Sequence, residues 1–165
     1  MLDRNQLKLN LQRVYTPILL FHSWLRWVTL LLAVGATLNA IRKDTDLSRK
    51  PPGRQWDTFF MMALDIQVIA GLMLYFRLSP FSTAGLNHLG LAMQDPALFF
   101  WTFVHAGVMF SANVVIRVGR VLAINAKTSE ARRLYRLGAF ALTTVVIIAG
   151  IPWPGSSIAR PLFRY

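Results

Sequence analysis

Four side chains could do chemistry inside otherwise apolar stretches of this sequence: His22, Arg26, Asp65 and His105. His22 and Arg26 stand four residues apart in His22-Ser-Trp-Leu-Arg-Trp, so on a helix they share one face. Counted from the outer ends of the apolar runs at ~1.5 Å per residue, His22 lies roughly 9 Å in and His105 roughly 12 Å in. Two imidazoles at one level on facing helices are what bis-histidine ligation of a haem b requires, with His22 and His105 as the metal ligands. Gly71 falls at a similar depth and leaves room for a ring edge, and Gly107, Met109 and Ala112 are compatible neighbours. The same pair has a cofactor-free reading, in which each histidine hydrogen-bonds a serine, a threonine or a helix carbonyl.

Arg26 and Asp65 are the costly groups. They lie roughly 15 Å and roughly 21 Å from the outer ends, within reach of an arginine side chain. Charges in lipid are costly when alone, so an interhelical ion pair between Arg26 and Asp65, locking the first hairpin, is the structural expectation. The functional readings are a proton relay, or Arg26 meeting a haem propionate or a quinone carbonyl. Gln67 points to a different face from Asp65 and can bridge to another helix. Asn39 and Asn113 read as polar glue between helices, and His88 as a surface residue.

The elements that must position these groups are apolar. The chain has 165 residues, 55% of them hydrophobic, with a mean hydropathy of +0.44. The apolar residues fall into four blocks, each near the ~20 residues needed to cross a bilayer. These predict spans at about 16–41, 57–79, 97–118 and 131–152 of a single all-α domain: an integral membrane four-helix bundle, up-down-up-down. Face-sharing along the first span puts Thr29, Ala33, Ala36 and Ala40 in line with His22 and Arg26, a stripe of small and polar residues that faces protein rather than lipid. Pro17 opens this span, after an arm with Leu2, Leu7, Leu11 and Val14 loosely on one side. Pro51-Pro52-Gly53 marks the first loop, with Trp56 anchoring span 2 at the interface. Pro80 ends span 2, and 81–95 holds a short surface helix or flap. Asp95-Pro96 starts span 3, Thr128-Ser129-Glu130 caps span 4, and Pro152-Trp153-Pro154 closes it.

The formal charge is +11, from 18 basic and 7 acidic residues. Most basic residues flank the spans, where they orient the chain and meet anionic lipid, so nucleic-acid binding is set aside. The first and third loops carry eleven: Arg42, Lys43, Arg49, Lys50, Arg54, Arg117, Arg120, Lys127, Arg132, Arg133 and Arg136. The other side carries six: Arg4, Lys8, Arg13, Arg77, Arg160 and Arg164. This bias places loops 1 and 3 in the cytoplasm and both termini outside. No cleavable signal is expected, and the first span serves as its own insertion signal. Zero cysteines exclude disulfides, iron–sulfur clusters and covalently attached haem. Nothing reads as a Ser-His-Asp set, a phosphate loop, HExxH or a carboxylate pair. Trp24, Trp27, Phe99, Phe100 and Trp101 can line a flat cofactor or a quinone tail, or anchor and pack helices at the interface.

Taken in order, His22-Ser-Trp-Leu-Arg-Trp, Gln67 followed by Gly71-Leu-Met-Leu-Tyr-Phe76, His105, and Ile151-Pro-Trp-Pro154 resemble small bacterial four-helix membrane proteins labelled cytochrome b-like. The resemblance implies haem b and the bacterial inner membrane. It departs at Asp65, where the family pattern would place a histidine before Ile-Gln, and at Val104-His105, where members carry Glu-His.

Two functions follow. One is a b-type cytochrome moving electrons to or from quinone, with His22 and His105 as ligands, Arg26 tuning charge and Gly71 giving room. The other is a cofactor-free accessory subunit of a larger respiratory or photosynthetic membrane complex. A transporter using Asp65 and Arg26 is a weaker third, since four helices are few for one.

Overall fold

The computed structural model describes residues 4–155, 158 and 160–163. Leu2 of the arm and Arg164 of the tail lie outside the described residues, as do the side chains of Arg4, Leu7 and Lys8. Every regular element among the described residues is helical. They are α1 (Arg4–Ile41), α2 (Arg54–Met73), α3 (Pro80–Asn87), α4 (Leu89–Ala92), α5 (Pro96–Phe99), α6 (His105–Ile124) and α7 (Ser129–Ala149). A π-helical turn, Leu74–Leu78, extends α2, and another, Phe100–Val104, joins α5 to α6.

Three of these units are long and apolar enough to cross a membrane: Asn10–Ile41, Arg54–Leu78 and Pro96–Ile124. The fourth long helix, α7, is charged at its start, with Glu130, Arg132, Arg133 and Arg136 in its first two turns. The polar arm is not separate from the first apolar run. α1 is one helix of 38 residues with Pro17 inside it rather than at its start. The arm is rich in Leu, Gln, Lys and Arg, all good helix formers, and proline removes only one hydrogen bond from the ladder.

Local signals account for the ends. Gly53 adopts φ 70°, a left-handed conformation that glycine takes without strain, and α2 starts directly after it. The Asp95 carboxylate accepts from the Ala97 and Leu98 amides at 2.8 and 2.9 Å. Thr128 Oγ1 accepts from the Ala131 amide at 3.1 Å. Each satisfies helix donors that have no partner within the helix.

α1 packs against α2 and α7, and α6 packs against α7 and α2. The contact face of α1 is its small-residue stripe. Ala33, Ala36 and Ala40 are fully buried and Thr29 is 1% exposed, while Leu31 and Leu38 on other faces are 68% and 59% exposed. The arrangement is apolar outside and small inside, which is compatible with lipid around the helices. α6 and α7 approach as closely: a methyl group on Gly119 would collide with Ala139 Cβ. Trp56, expected at the interface, lies over Gly35 in the α1–α2 contact, and a side chain on Gly35 would displace it.

Arg132 and Arg136 hold the 42–53 loop against α7. Arg132 grips Asp44 through two bonds of 2.6 Å and donates to the carbonyls of Asp46 and Leu47 at 2.8 and 3.0 Å. Arg136 grips Asp57 at 2.8 and 2.9 Å and donates to the Pro52 carbonyl at 2.9 Å. These forks are charge-assisted and bidentate, the strongest geometry open to an arginine. Arg136 is 4% exposed, so its partner is indispensable. Asp57→Asn is expected to destabilise the folded chain by about 3 kcal/mol, and Asp65→Asn, in a half-exposed pair, by less than about 1 kcal/mol. Unfolding in mixed detergent checks this, and equal losses would contradict it.

Candidate functional site

The ion pair expected between Arg26 and Asp65 is not formed. Asp65 pairs with Arg117 and accepts from Asn113 Nδ2 at 3.2 Å, both on α6. Arg117 reaches it because residues 113 and 117, one helical turn apart on α6, both face α2. The Asp65 side chain is therefore tied to α6 and not to α1. Asn113 does bridge two helices, whereas Asn39 returns its amide to the Gly35 carbonyl of its own helix at 2.8 Å.

Arg26 has a different use. Its Nη2 donates to the Leu162 carbonyl at 2.6 Å, and Trp27 Nε1 donates to the same oxygen at 3.1 Å. Phe163 stacks on Trp27 with ring centres 5.2 Å apart and leans on Trp24 at 5.9 Å. Arg160 lies over the rings of Phe81 and Trp101, at 4.3 and 5.3 Å. The tail thus folds back over the helix ends. No apolar period marks residues 160–163, so sequence pattern gave no sign of this. The aromatic pair Trp24 and Trp27 is occupied by the tail.

Beneath it lies a cavity of about 170 Å³ whose lining includes His22, Arg26, Gln67, Gly71, Trp101, His105 and Arg160. Met109 also lines it; Gly107 and Ala112 do not. The structure brings His22 and His105 together: their ring centres are 6.4 Å apart and their planes cross at 71°. His105 Nδ1 is 2.9 Å from the Gly150 carbonyl oxygen. An imidazole bonded this way donates through Nδ1 and presents Nε2 as a lone pair, the usual posture of a metal-ligating histidine.

His22 is held by Gln67. One amide group, Gln67 Nε2, reaches the His22 carbonyl at 3.0 Å and His22 Nε2 at 3.3 Å. An amide nitrogen only donates, so His22 Nε2 accepts and the ring proton sits on Nδ1. His22 Nδ1 is buried and has no hydrogen-bond partner, and the same holds for Gln67 Oε1, Thr29 Oγ1 and Ser82 Oγ, all in residues that line the cavity. Such atoms are uncommon in native proteins and call for a polar guest or water. Gly71 lines the cavity beside His22, where a β-carbon would come within 3.2 Å of His22 Cε1. Its bareness makes room for the histidine ring.

Gln67 bridges to another helix as expected, and its partner is His22 on α1. The two π turns that flank the cavity escaped the sequence. Tyr75, on the first π turn, donates to the Thr102 carbonyl on the second at 2.8 Å. A π turn displaces backbone carbonyls from the helical ladder, which leaves one free for such a bond. His88 is exposed between α3 and α4, apart from the cavity.

No protein-family model, no curated protein and no solved structure matches the chain.

Arg26→Ala removes the tail's main hydrogen-bond anchor while leaving the helix contacts in place. Chymotryptic cleavage after Phe163 should then run several-fold faster than in the parent chain. Cleavage at an unchanged rate would show that Arg26 does not hold the tail.

Proposed function

We propose that this chain is a multi-pass membrane protein, an up-down-up-down bundle of four helices, whose cavity holds a haem b between His22 and His105 for electron transfer to or from quinone. The observation that carries this reading is the spacing and posture of the two imidazoles. A metal between two ring nitrogens at bonds of about 2 Å sets ring centres roughly 6 Å apart. The 6.4 Å separation fits, as does His105 with Nδ1 engaged. The three apolar helical units support the membrane setting, with lipid as the outer contact.

When bound, haem supplies a one-electron carrier. The protein's part is positional and electrostatic. Gly150 fixes the tautomer of His105, and Gln67 fixes the ring of His22. Arg26 and Arg160 bring positive charge to the cavity wall, which favours gain of an electron there. Residues 160–163 and Trp101 shield the cavity from water. The charge bias of the loops supports a topology with loops 1 and 3 in the cytoplasm of a bacterial cell and both termini outside.

One observation favours the second reading, a cofactor-free subunit packed against other membrane proteins. Gln67 Nε2 stands at His22 Nε2, where a ligated metal would otherwise be. In that reading Gln67 and His22 lock α1 to α2, and the unpartnered polar atoms are met by water.

The two readings separate in the variants. With haem-supplemented expression, His22→Ala and His105→Ala should each abolish the low-spin b-type spectrum, and Gln67→Leu should leave it in place. A normal spectrum in both histidine variants would remove the assigned ligands.

A further inference from the structure

A second cavity, of about 430 Å³, lies among the 42–53 loop and the facing ends of α2, α6 and α7. Six basic residues line it: Arg49, Lys50, Arg54, Arg120, Arg132 and Arg136. A single carboxylate, Asp57, lines it with them. Three of the six are compensated. Arg132 is paired with Asp44, Arg136 with Asp57, and Arg49 with Asp46 at 3.3 Å. Ser48, which donates to Asp46 through its hydroxyl and its amide, holds that carboxyl below the usual carboxylate range, so it stays charged beside Arg49.

Lys50, Arg54 and Arg120 form no ion pair among the described residues. Arg120 Nη1 instead lies 3.5 Å from Met61 Sδ, a poor acceptor for a guanidinium. A further observation points to a ligand. Arg136 is 96% buried, with 4% of its surface exposed, and its Nη1 has no hydrogen-bond partner. A buried guanidinium nitrogen without an acceptor is costly, and an anion in the cavity it lines would satisfy it. Apart from Ser48 and Thr58 the rest of the lining is apolar, with Met61, Ala123 and Phe140, and Ile124 both lines the cavity and is 69% exposed on the outside of α6. The cationic cavity therefore runs onto an apolar helix face.

We propose that this cavity binds the phosphate headgroup of an anionic phospholipid, with Arg54 and Arg120 as the recognising cations and Arg136 Nη1 as the buried donor. A phosphodiester brings acceptor oxygens that guanidinium groups match in shape and charge. Continuity with the exposed apolar face of α6 favours a lipid over free phosphate, because acyl chains can lie along that face. The inference rests on the membrane reading and is independent of haem.

The test is native mass spectrometry of the full chain in mild detergent, titrated with phosphatidylglycerol, with phosphatidylcholine and with inorganic phosphate. Phosphatidylglycerol should bind and phosphatidylcholine should not compete. Arg54 and Arg120 are exposed, so Arg54→Gln and Arg120→Gln leave the fold intact. Each should weaken phosphatidylglycerol about fivefold and the double variant about 25-fold. Arg120→Lys should recover part of the loss, and Arg77→Gln, on the π turn away from this cavity, should change nothing. Equal binding of both lipids, or a double variant that binds as tightly as the parent, would overturn the proposal. Full displacement by millimolar phosphate would overturn the lipid as source. Extraction of cell membranes with alkaline carbonate separates the failures. A chain that washes off loses the membrane reading itself, and one that stays but does not prefer phosphatidylglycerol loses only this site.

Discussion

The close approach of α2 and α7 to the small-residue face of α1 is the constraint on which the rest of the structure depends. Thr29, Ala33, Ala36 and Ala40 leave no side-chain bulk between the helices, and all four are buried. With that face in contact, the α1 residues one and two turns above Thr29 must also face the interior. Those residues are Arg26 and His22. Gln67 on α2 then comes within hydrogen-bond distance of both the ring and the backbone carbonyl of His22. The level of the candidate site is therefore set by packing some two turns away from it. Dispersion between closely packed backbones contributes to this contact.

The two ends of the molecule handle polarity differently. At the end with the 42–53 loop, Arg132 and Arg136 are matched with carboxylates in bidentate forks, which fixes the loop to α7. At the other end, polar atoms around His22 are left without protein partners, and the tail closes over them through Arg26, Trp27 and Arg160. The first pattern fastens the loop while leaving Arg136 Nη1 without a partner, and the second leaves a cluster of unpartnered polar atoms around one cavity. Asp65 belongs to neither end. Its bonds to Arg117 and Asn113 join α2 to α6 midway.

Much of the helical plan was legible in the sequence because hydropathy, proline positions and caps act locally. Asp95 and Thr128 cap the helices that their own neighbours begin, and Pro80 stands at the first position of α3. The inward face of α1 was legible for the same reason, since a period of 3.6 is a property of one helix. What depends on which helix lies opposite was not legible. Depth counting put Arg26 and Asp65 within reach of each other, yet it carries no rotation about the helix axis, and Asp65 turns to α6. Pro17 misled because a proline in an otherwise good helical sequence need not mark a boundary. The two π turns and the folded tail leave no periodic trace, so nothing local marks the roles of Tyr75 and Arg160.

Under the proposed function His22 and His105 would hold a haem b, and the absorbance spectrum of the purified parent chain tests this most directly. Reduced-minus-oxidised difference spectra, taken in mild detergent after expression with added haem, should show a sharp b-type α band with about one haem per chain, as bis-imidazole ligation requires. A flat difference spectrum from folded protein would contradict the account and leave His22, Gln67 and His105 as a structural cluster within a subunit of a larger assembly.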